Sequence, residues 1–442
     1  FANTCWFSTK DTIILNPEAP NLFANGKKIE KMSVVKGKRP AAYILKEINL
    51  QKKSSESWYQ VFDTRLDSVR VTDLCSRIVD RNAVTKELEK DIDECQKLME
   101  TYISESDGFQ QTADLMTCSH HTQNVMFNIM RGGFFANNGK INLEDFVKFI
   151  SQRNKQLVKL AENISKKVEP NSDKDGFVKY EELEQAIKAV DNTQLERLFY
   201  EYMPLTFSRR HGDPSRPWNR FNIKLRDDNG NPILNYEGNW RDIFQNWEAL
   251  AWSYPQYIKN MTAKFLNAMT IEGFNPYHIS REGINWEVPD PNNPWAQIGF
   301  WGDHQVIYLE KLLEFYSDSN RDELLSSLDA KIYASSNVPY RIKSYKDILE
   351  NPRSTILFDR ELDSKLQEKS KAYGSDAKLV RDKNENVALV TLTAKLLQIV
   401  IAKTANFVPG GGIWLNTQRP EWNDANNALA GYGLSMVTLC YL

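Results

Sequence analysis

Hydrophobic and polar positions change their rhythm twice along the chain. Residues 1 to about 70 hold short runs such as "DTIILN", "AAYILKEINL" and "WYQVFDTRL", rich in β-branched and aromatic residues and broken by proline, glycine and lysine clusters, the signature of strands. From about 71 to 115, "RIVDRNAVTKELEKDIDECQKLMETYI" places apolar residues three and four apart with charges on the other face. That spacing predicts one long amphipathic helix acting as a connector. Beyond it helical period recurs, in "HHTQNVMFNIMRGG", "LEDFVKFISQRNKQLVKLAENISKKV", "YEELEQAIKAV", "NTQLERLFYEYM", "NWRDIFQNWEALAWSY", "PQYIKNMTAKFLNAMT", "HQVIYLEKLLEFYS" and "LVTLTAKLLQIVIAKTANF". Strand-like runs are scarce there. Helices joined by long loops rich in Trp, Asn, Pro and Gly point to an array of helix pairs, a toroid or an α-solenoid. No repeat at a fixed period supports the solenoid. The fold class expected is mainly α, with a β-rich region over 1–70, a helical linker over 71–115 and a helical body over 116–442.

Composition narrows the partners. The 442 residues, 41% of them hydrophobic, suffice for a large core, and 56 basic against 58 acidic residues leave a net charge of −2. Such a balance gives no broad electrostatic footprint for nucleic acid or anionic lipid. No apolar run approaches the ~18–20 residues needed to span a bilayer, and "FANTCWFSTK" lacks the basic-then-apolar order of a signal peptide. Five dispersed cysteines without a CxxC fit reduced thiols in a cytoplasmic chain and make zinc an unexpected ligand. The start at Phe1 and the uncapped apolar end "LSMVTLCYL" suggest a piece of a longer polypeptide, with apolar surface exposed near that end.

Candidate chemistry concentrates in the loops of the second half. Nine of the eleven tryptophans lie from residue 218 onward, at 218, 240, 247, 252, 286, 295, 301, 414 and 422, most of them flanking loops. Aromatic faces in a polar, acid-containing cleft suit a carbohydrate, whose rings present C–H patches to stack and hydroxyls to hydrogen-bond. For any single tryptophan, core filling is the more ordinary reading. "FSRRHGDPSRPWNRFNI" gathers Arg209, Arg210, His211, Asp213 and Arg216, which read either as a binding loop or as a salt-bridged surface. "NYEGNWRDIFQNWEAL" opens a helix with Arg241, Asp242 and Gln245, Arg241 and Gln245 one turn apart. "WAQIGFWGDHQVIYL" sets Trp301, Asp303 and His304 before another helix, where Asp303 also suits an N-cap. "NTQRPEWNDANNALAGYG" holds Glu421, Trp422 and Asp424. A carboxyl group held against an indole and partly desolvated is pushed up in pKa and can donate a proton to a glycosidic oxygen near neutral pH. A capped helix start explains the same residues.

In this order the loops resemble the inverting disaccharide and oligosaccharide phosphorylases of the cellobiose and chitobiose phosphorylase type, with related β-1,3-glucan phosphorylases. "YEGNWRDIFQNWEAL" is similar to that family's Tyr-Arg-Asp-x-x-Gln-Asp helix, and "GFWGDHQVIYL" to its Ser-Asp-Asp-x-x-Trp-Leu segment. "NVPYRI" is similar to its Val-Pro-Phe strand, and "RPEWNDANNALAGYGLSMVTLCYL" to its Gly-Asp-Trp-Asn-Asp-Gly-Met-Asn loop and following helix. The resemblance covers about residues 200 to 442. It implies part of an N-terminal β-sandwich, a helical linker and an (α/α)₆ toroid, incomplete in this chain, because the family's phosphate-binding histidine and threonine loop lies well downstream of the general acid. Glu421 falls on that acid, an aspartate in the family. Asp303 falls on a carboxylate that holds the sugar beside the cleaved bond, and Arg241 and Asp242 on the helix bordering the cleft. His304, Trp301, Trp422, Asp424, Arg209 and Arg210 complete the candidate substrate site.

The activity implied is inverting phosphorolysis of β-linked gluco-oligosaccharides, with inorganic phosphate as co-substrate and no cofactor. An inverting glycoside hydrolase on the same barrel is the alternative, with Asp303 or Asp213 as its second carboxylate. The expected partner is an oligosaccharide, with a homodimer as the oligomeric option. A different class of function stays open at "NSDKDGFVKYEE", where Asn171, Asp173, Asp175 and Glu182 keep the spacing of an EF-hand calcium loop. A calcium-regulated helical interaction module would use it. The related register in "FFANNGKINLEDF" puts Phe134 and Ala136 where oxygen ligands belong, and a polar turn between helices explains the 171–182 loop without a metal.

Overall fold

The computed structural model describes residues 3–8, 11, 13–32, 34, 36–38, 41–130, 133–169, 173, 176–206, 227, 233–292, 300–301, 305–351, 356–414, 421–422 and 434–442. The chain divides into two compact units, Phe1–Thr101 and Tyr102–Leu442.

In the first unit the apolar runs pair locally. Asn3–Ser8 lies antiparallel to Gln60–Leu66, and Ile13–Leu15 antiparallel to Ala42–Ile44. The single long helix expected after residue 71 is instead two helices, Ser68–Arg77 and Arg81–Glu105. Asp67 caps the first by accepting from the Arg70 amide at 2.8 Å. Asp80 causes the break: its carboxylate takes the Asn82 and Ala83 amides at 3.0 and 3.1 Å, satisfying donors that open a new helix. An aspartate inside a helical period thus acts as a cap and restarts the helix.

The second unit is mainly helical. Its helices include Leu115–Met130, Leu143–Arg153, Val158–Val168, Tyr180–Lys188, Thr193–Phe199, Trp240–Ser253, Ile258–Ala268, Gln305–Ser327, Arg360–Tyr373 and Leu392–Thr404. Short polar residues set many of the starts. The side chains of Asn142, Asn192 and Thr391 each accept an amide from the first turn. Asn154 separates the two helices within "LEDFVKFISQRNKQLVKLAENISKKV" by turning its oxygen to the Gln156 amide.

Every residue of Ile258–Ala268 is buried, polar ones included. A helix surrounded on all sides must satisfy its polar side chains internally. Asn260 does so by donating to the Phe199 and Tyr202 carbonyls at 2.9 and 2.8 Å and accepting from the Tyr180 hydroxyl at 2.9 Å. Against Phe265 of this helix pack Trp240 and Phe244, edge-on at 5.1 and 5.0 Å, and Phe244 stacks in turn on Tyr308 at 5.3 Å. Each such ring stabilises the core by about 1.5–3 kcal/mol through burial.

Between the helices run strands of two or three residues. Cys75, Cys95, Cys118 and Cys440 are free thiols. Among the described residues no helix is long and apolar enough to cross a membrane. Met436, Val437, Leu439 and Tyr441 are exposed on the last helix, Met436–Tyr441.

Candidate active site

The backbone brings three of the loops singled out in the sequence to one neighbourhood. Phe300–Trp301 is the middle strand of a small sheet, antiparallel to Asn275–Pro276 on one side and parallel to Glu421–Trp422 on the other. Phe300 is in register with Glu421, and Trp301 with Trp422. Neighbouring strands lie about 4.8 Å apart, so the Glu421 backbone stands one strand spacing from the segment that leads into Asp303.

The helix carrying Arg241 and Asp242 is tied to the same sheet. Its first residue, Trp240, is fully buried and donates its indole N–H to the Pro276 carbonyl at 2.6 Å. The strand before it, Glu237–Asn239, pairs with His278–Ser280, which follows Asn275–Pro276 after one residue. Residues 275–280 therefore link the Glu421 sheet to the start of the Arg241 helix. His278 and Glu237 meet across this second sheet, Nε2 to Oε1 at 2.8 Å.

Asp303 and His304 lie outside the described residues, but both their flanks are anchored. Trp301 pairs with Asn275. Gln305, buried at the start of its helix, donates to the Asn275 side-chain oxygen at 2.5 Å and to the Gly273 carbonyl at 3.1 Å. Arg209, Arg210, Asp213 and Asp424 also lie outside the described residues, as do the side chains of Arg241, Asp242, Trp301, Glu421 and Trp422.

At the calcium-loop candidate, Ile141–Asn142 pairs antiparallel with Phe177–Val178, joining two helix–loop–helix units. Asp173 takes the Lys140 ammonium at 3.1 Å and the Phe177 amide at 3.0 Å, while Glu182 accepts from the Lys179 amide at 3.3 Å. Asn171 and Asp175 lie outside the described residues. Among the described residues no group of three or more His, Cys, Asp or Glu side chains is gathered to hold a metal ion.

Sequence reasoning missed a buried ionic cluster. The Glu201 carboxylate accepts from Arg153 at 2.5 Å, Arg197 at 2.8 Å and Asn267 at 2.9 Å. Asp376 accepts from Arg153 at 3.2 Å and from Arg197. Burial pushes the Glu201 carboxyl up, but Arg153, Arg197 and Lys264 outweigh it and hold it at about 2. The only local signal was Arg197 and Glu201 at i and i+4, the spacing of an ordinary solvated helix pair.

Comparison with known proteins bears on this cluster. Residues 135–204 match the model of glycoside hydrolase family 149 insertion domain 1, a stretch that includes Arg153, Arg197 and Glu201. No curated protein sequence matches the chain. The match supports a carbohydrate-active enzyme, a glycoside phosphorylase or hydrolase.

Proposed function

We propose that the chain belongs to an inverting glycoside phosphorylase that cleaves β-linked gluco-oligosaccharides with inorganic phosphate and releases sugar 1-phosphate. In this reading residues 1–70 are part of a β-sandwich, 71–115 a helical linker and 116–442 part of an (α/α)₆ toroid, in a cytoplasmic enzyme. The observation that carries it is the register of Glu421–Trp422 against Phe300–Trp301, with Trp240 tying the Arg241 helix to the adjoining strand. It supports a common cleft for residues that lie from 241 to 421 in the chain. The family 149 match adds to it, since that family includes β-1,3-glucan phosphorylases.

Glu421 donates its proton to the glycosidic oxygen as the bond from that oxygen to the anomeric carbon breaks. A phosphate oxygen forms the new bond to that carbon from the opposite face, so a β-linked substrate gives an α-configured sugar 1-phosphate. Asp303, His304, Arg241, Asp242, Trp301, Trp422, Asp424, Arg209 and Arg210 bind the sugar. Phosphate is itself the nucleophile, so no second catalytic carboxylate is needed.

The matched description reads glycoside hydrolase, which favours hydrolysis as the second reading. Breakdown of a β-1,3-gluco-oligosaccharide by the intact enzyme, with and without inorganic phosphate, separates the two. Phosphorolysis requires that sugar 1-phosphate accumulate only with phosphate. Equal rates in both conditions, with free sugar as product, overturn it.

A further inference from the structure

The ionic cluster borders a partly open cavity of about 10 Å³, lined by Arg153, Glu201, Lys264, Asn267, Gly283 and Ser375 among others. That is room for one atom-sized occupant. The groups around it have more donors than acceptors. Arg153 is buried, and its Nη1 has no hydrogen-bond partner among the described residues. This nitrogen faces Gly283, where an added Cβ would sit 3.4 Å from it. Lys264, also buried, spends one N–H on the Arg281 carbonyl at 3.1 Å, and an ammonium has three to give. Ser375 donates to the Glu282 carbonyl. The acceptors are already engaged, because both Glu201 oxygens bind Arg153, Arg197 and Asn267.

Charge points the same way. The charged groups acting on Lys264 are Arg153, Glu201, Arg281 and Asp376, the Tyr236 ring lies 5.6 Å from its ammonium, and Arg197 joins the cluster through Glu201 and Asp376. Arg281 in turn pairs with Asp145 at 2.5 Å. Among the described residues, Arg153, Arg197 and Arg281 balance the carboxylates of Glu201, Asp376 and Asp145, and a proton on Lys264 adds one positive charge in surplus.

We infer that this cavity is a binding site for a monatomic halide, chloride under ordinary salt conditions, held by the Arg153 guanidinium and the Lys264 ammonium. None of its lining residues is among those proposed to bind the sugar. Without the anion, burial and the neighbouring Arg153 hold Lys264 well below the usual lysine range. Halide binding is therefore coupled to proton uptake by Lys264. Because Arg153, Arg197 and Glu201 lie in the stretch matched to the insertion domain and Lys264, Arg281 and Asp376 outside it, the ion fastens that stretch to the rest of the unit.

The test is crystallographic and thermodynamic, on the intact protein. Crystals soaked in sodium bromide should show an anomalous peak in the cavity, within about 3.5 Å of Arg153 Nη1 and Lys264 Nζ. Melting in potassium chloride should exceed melting in potassium gluconate at equal ionic strength. The apparent chloride affinity should fall about tenfold per pH unit once Lys264 begins to lose its proton. Lys264→Met should abolish the chloride-specific increment, and if that variant does not fold, the bromide peak in the unmodified protein decides. A cavity without a bromide peak, together with equal melting in the two salts, overturns the inference.

Discussion

Arg197 reaches Asp376 across 179 residues of chain, guanidinium to carboxylate, with both side chains excluded from solvent. Arg153 shares the same carboxylate. Replacing one partner of a buried pair leaves the other charge uncompensated, which costs far more than the pair itself contributes. Asp376→Asn leaves two buried guanidiniums sharing Glu201 alone. It should destabilise the unit by about 3–5 kcal/mol, seen as a lower denaturant midpoint with an unchanged slope. A loss below about 1 kcal/mol would mean that the guanidiniums find solvent.

The same contacts make the 135–204 stretch part of the core. Excising it removes Arg153, Arg197 and Glu201, and with them the counter-charges of Asp376 and a neighbour of Lys264. Asn260, which donates to the Phe199 and Tyr202 carbonyls, also loses its partners. The shortened protein should fail to accumulate in soluble form. A cooperative melt and native circular dichroism from it would show that the stretch is an independent module.

Lys395 gives a pH dependence with a definite sign. It is buried, with its ammonium on the Met269 carbonyl at 3.2 Å and the Ser335 hydroxyl at 2.8 Å, and burial pushes its pKa down to about 7 from 10.5. Between these two values the unfolded chain binds the extra proton, so stability rises with pH across that window. Lys395→Met removes the cost of charging a buried amine. The variant should melt higher than the parent below pH 7, with the difference fading towards pH 10.5. A difference independent of pH would assign the effect to packing.

Much of this architecture can be read from the sequence wherever a local rule acts alone. The helix at Trp240–Ser253 shows in its apolar spacing, and the starts at Asn142, Asn192 and Thr391 in their capping residues. Where two rules compete, the local signal misleads: Asp80 lies within a helical period but restarts the helix as a cap. Strands such as Phe300–Trp301 and Glu421–Trp422 are too short to show any period, so their pairing is fixed by tertiary contacts that no local window contains. The ionic cluster escapes for the same reason, with members from Arg153 to Asp376.

Trp240 joins the Arg241 helix to the sheet that includes the candidate acid's strand, through one hydrogen bond to Pro276 on the opposite edge of that sheet. Trp240→Phe keeps most of the buried ring but leaves that carbonyl without its indole donor, a cost of about 1–3 kcal/mol. If the bond positions the cleft, kcat should fall by roughly tenfold or more at temperatures where the variant stays folded. An unchanged kcat with a lowered melting temperature would confine Trp240 to a structural role.

The proposed catalysis rests on Glu421, whose strand lies beside Phe300–Trp301. The most direct measurement is phosphate-dependent release of sugar 1-phosphate from a β-1,3-gluco-oligosaccharide by the intact enzyme, followed by proton NMR, for the parent and for Glu421→Gln. The parent should yield the α-configured 1-phosphate from the start of the reaction. The amide cannot supply the proton to the leaving oxygen, so the variant should lose at least about 100-fold in rate while remaining folded. Full activity in Glu421→Gln, or a β-configured product from the parent, would contradict the account.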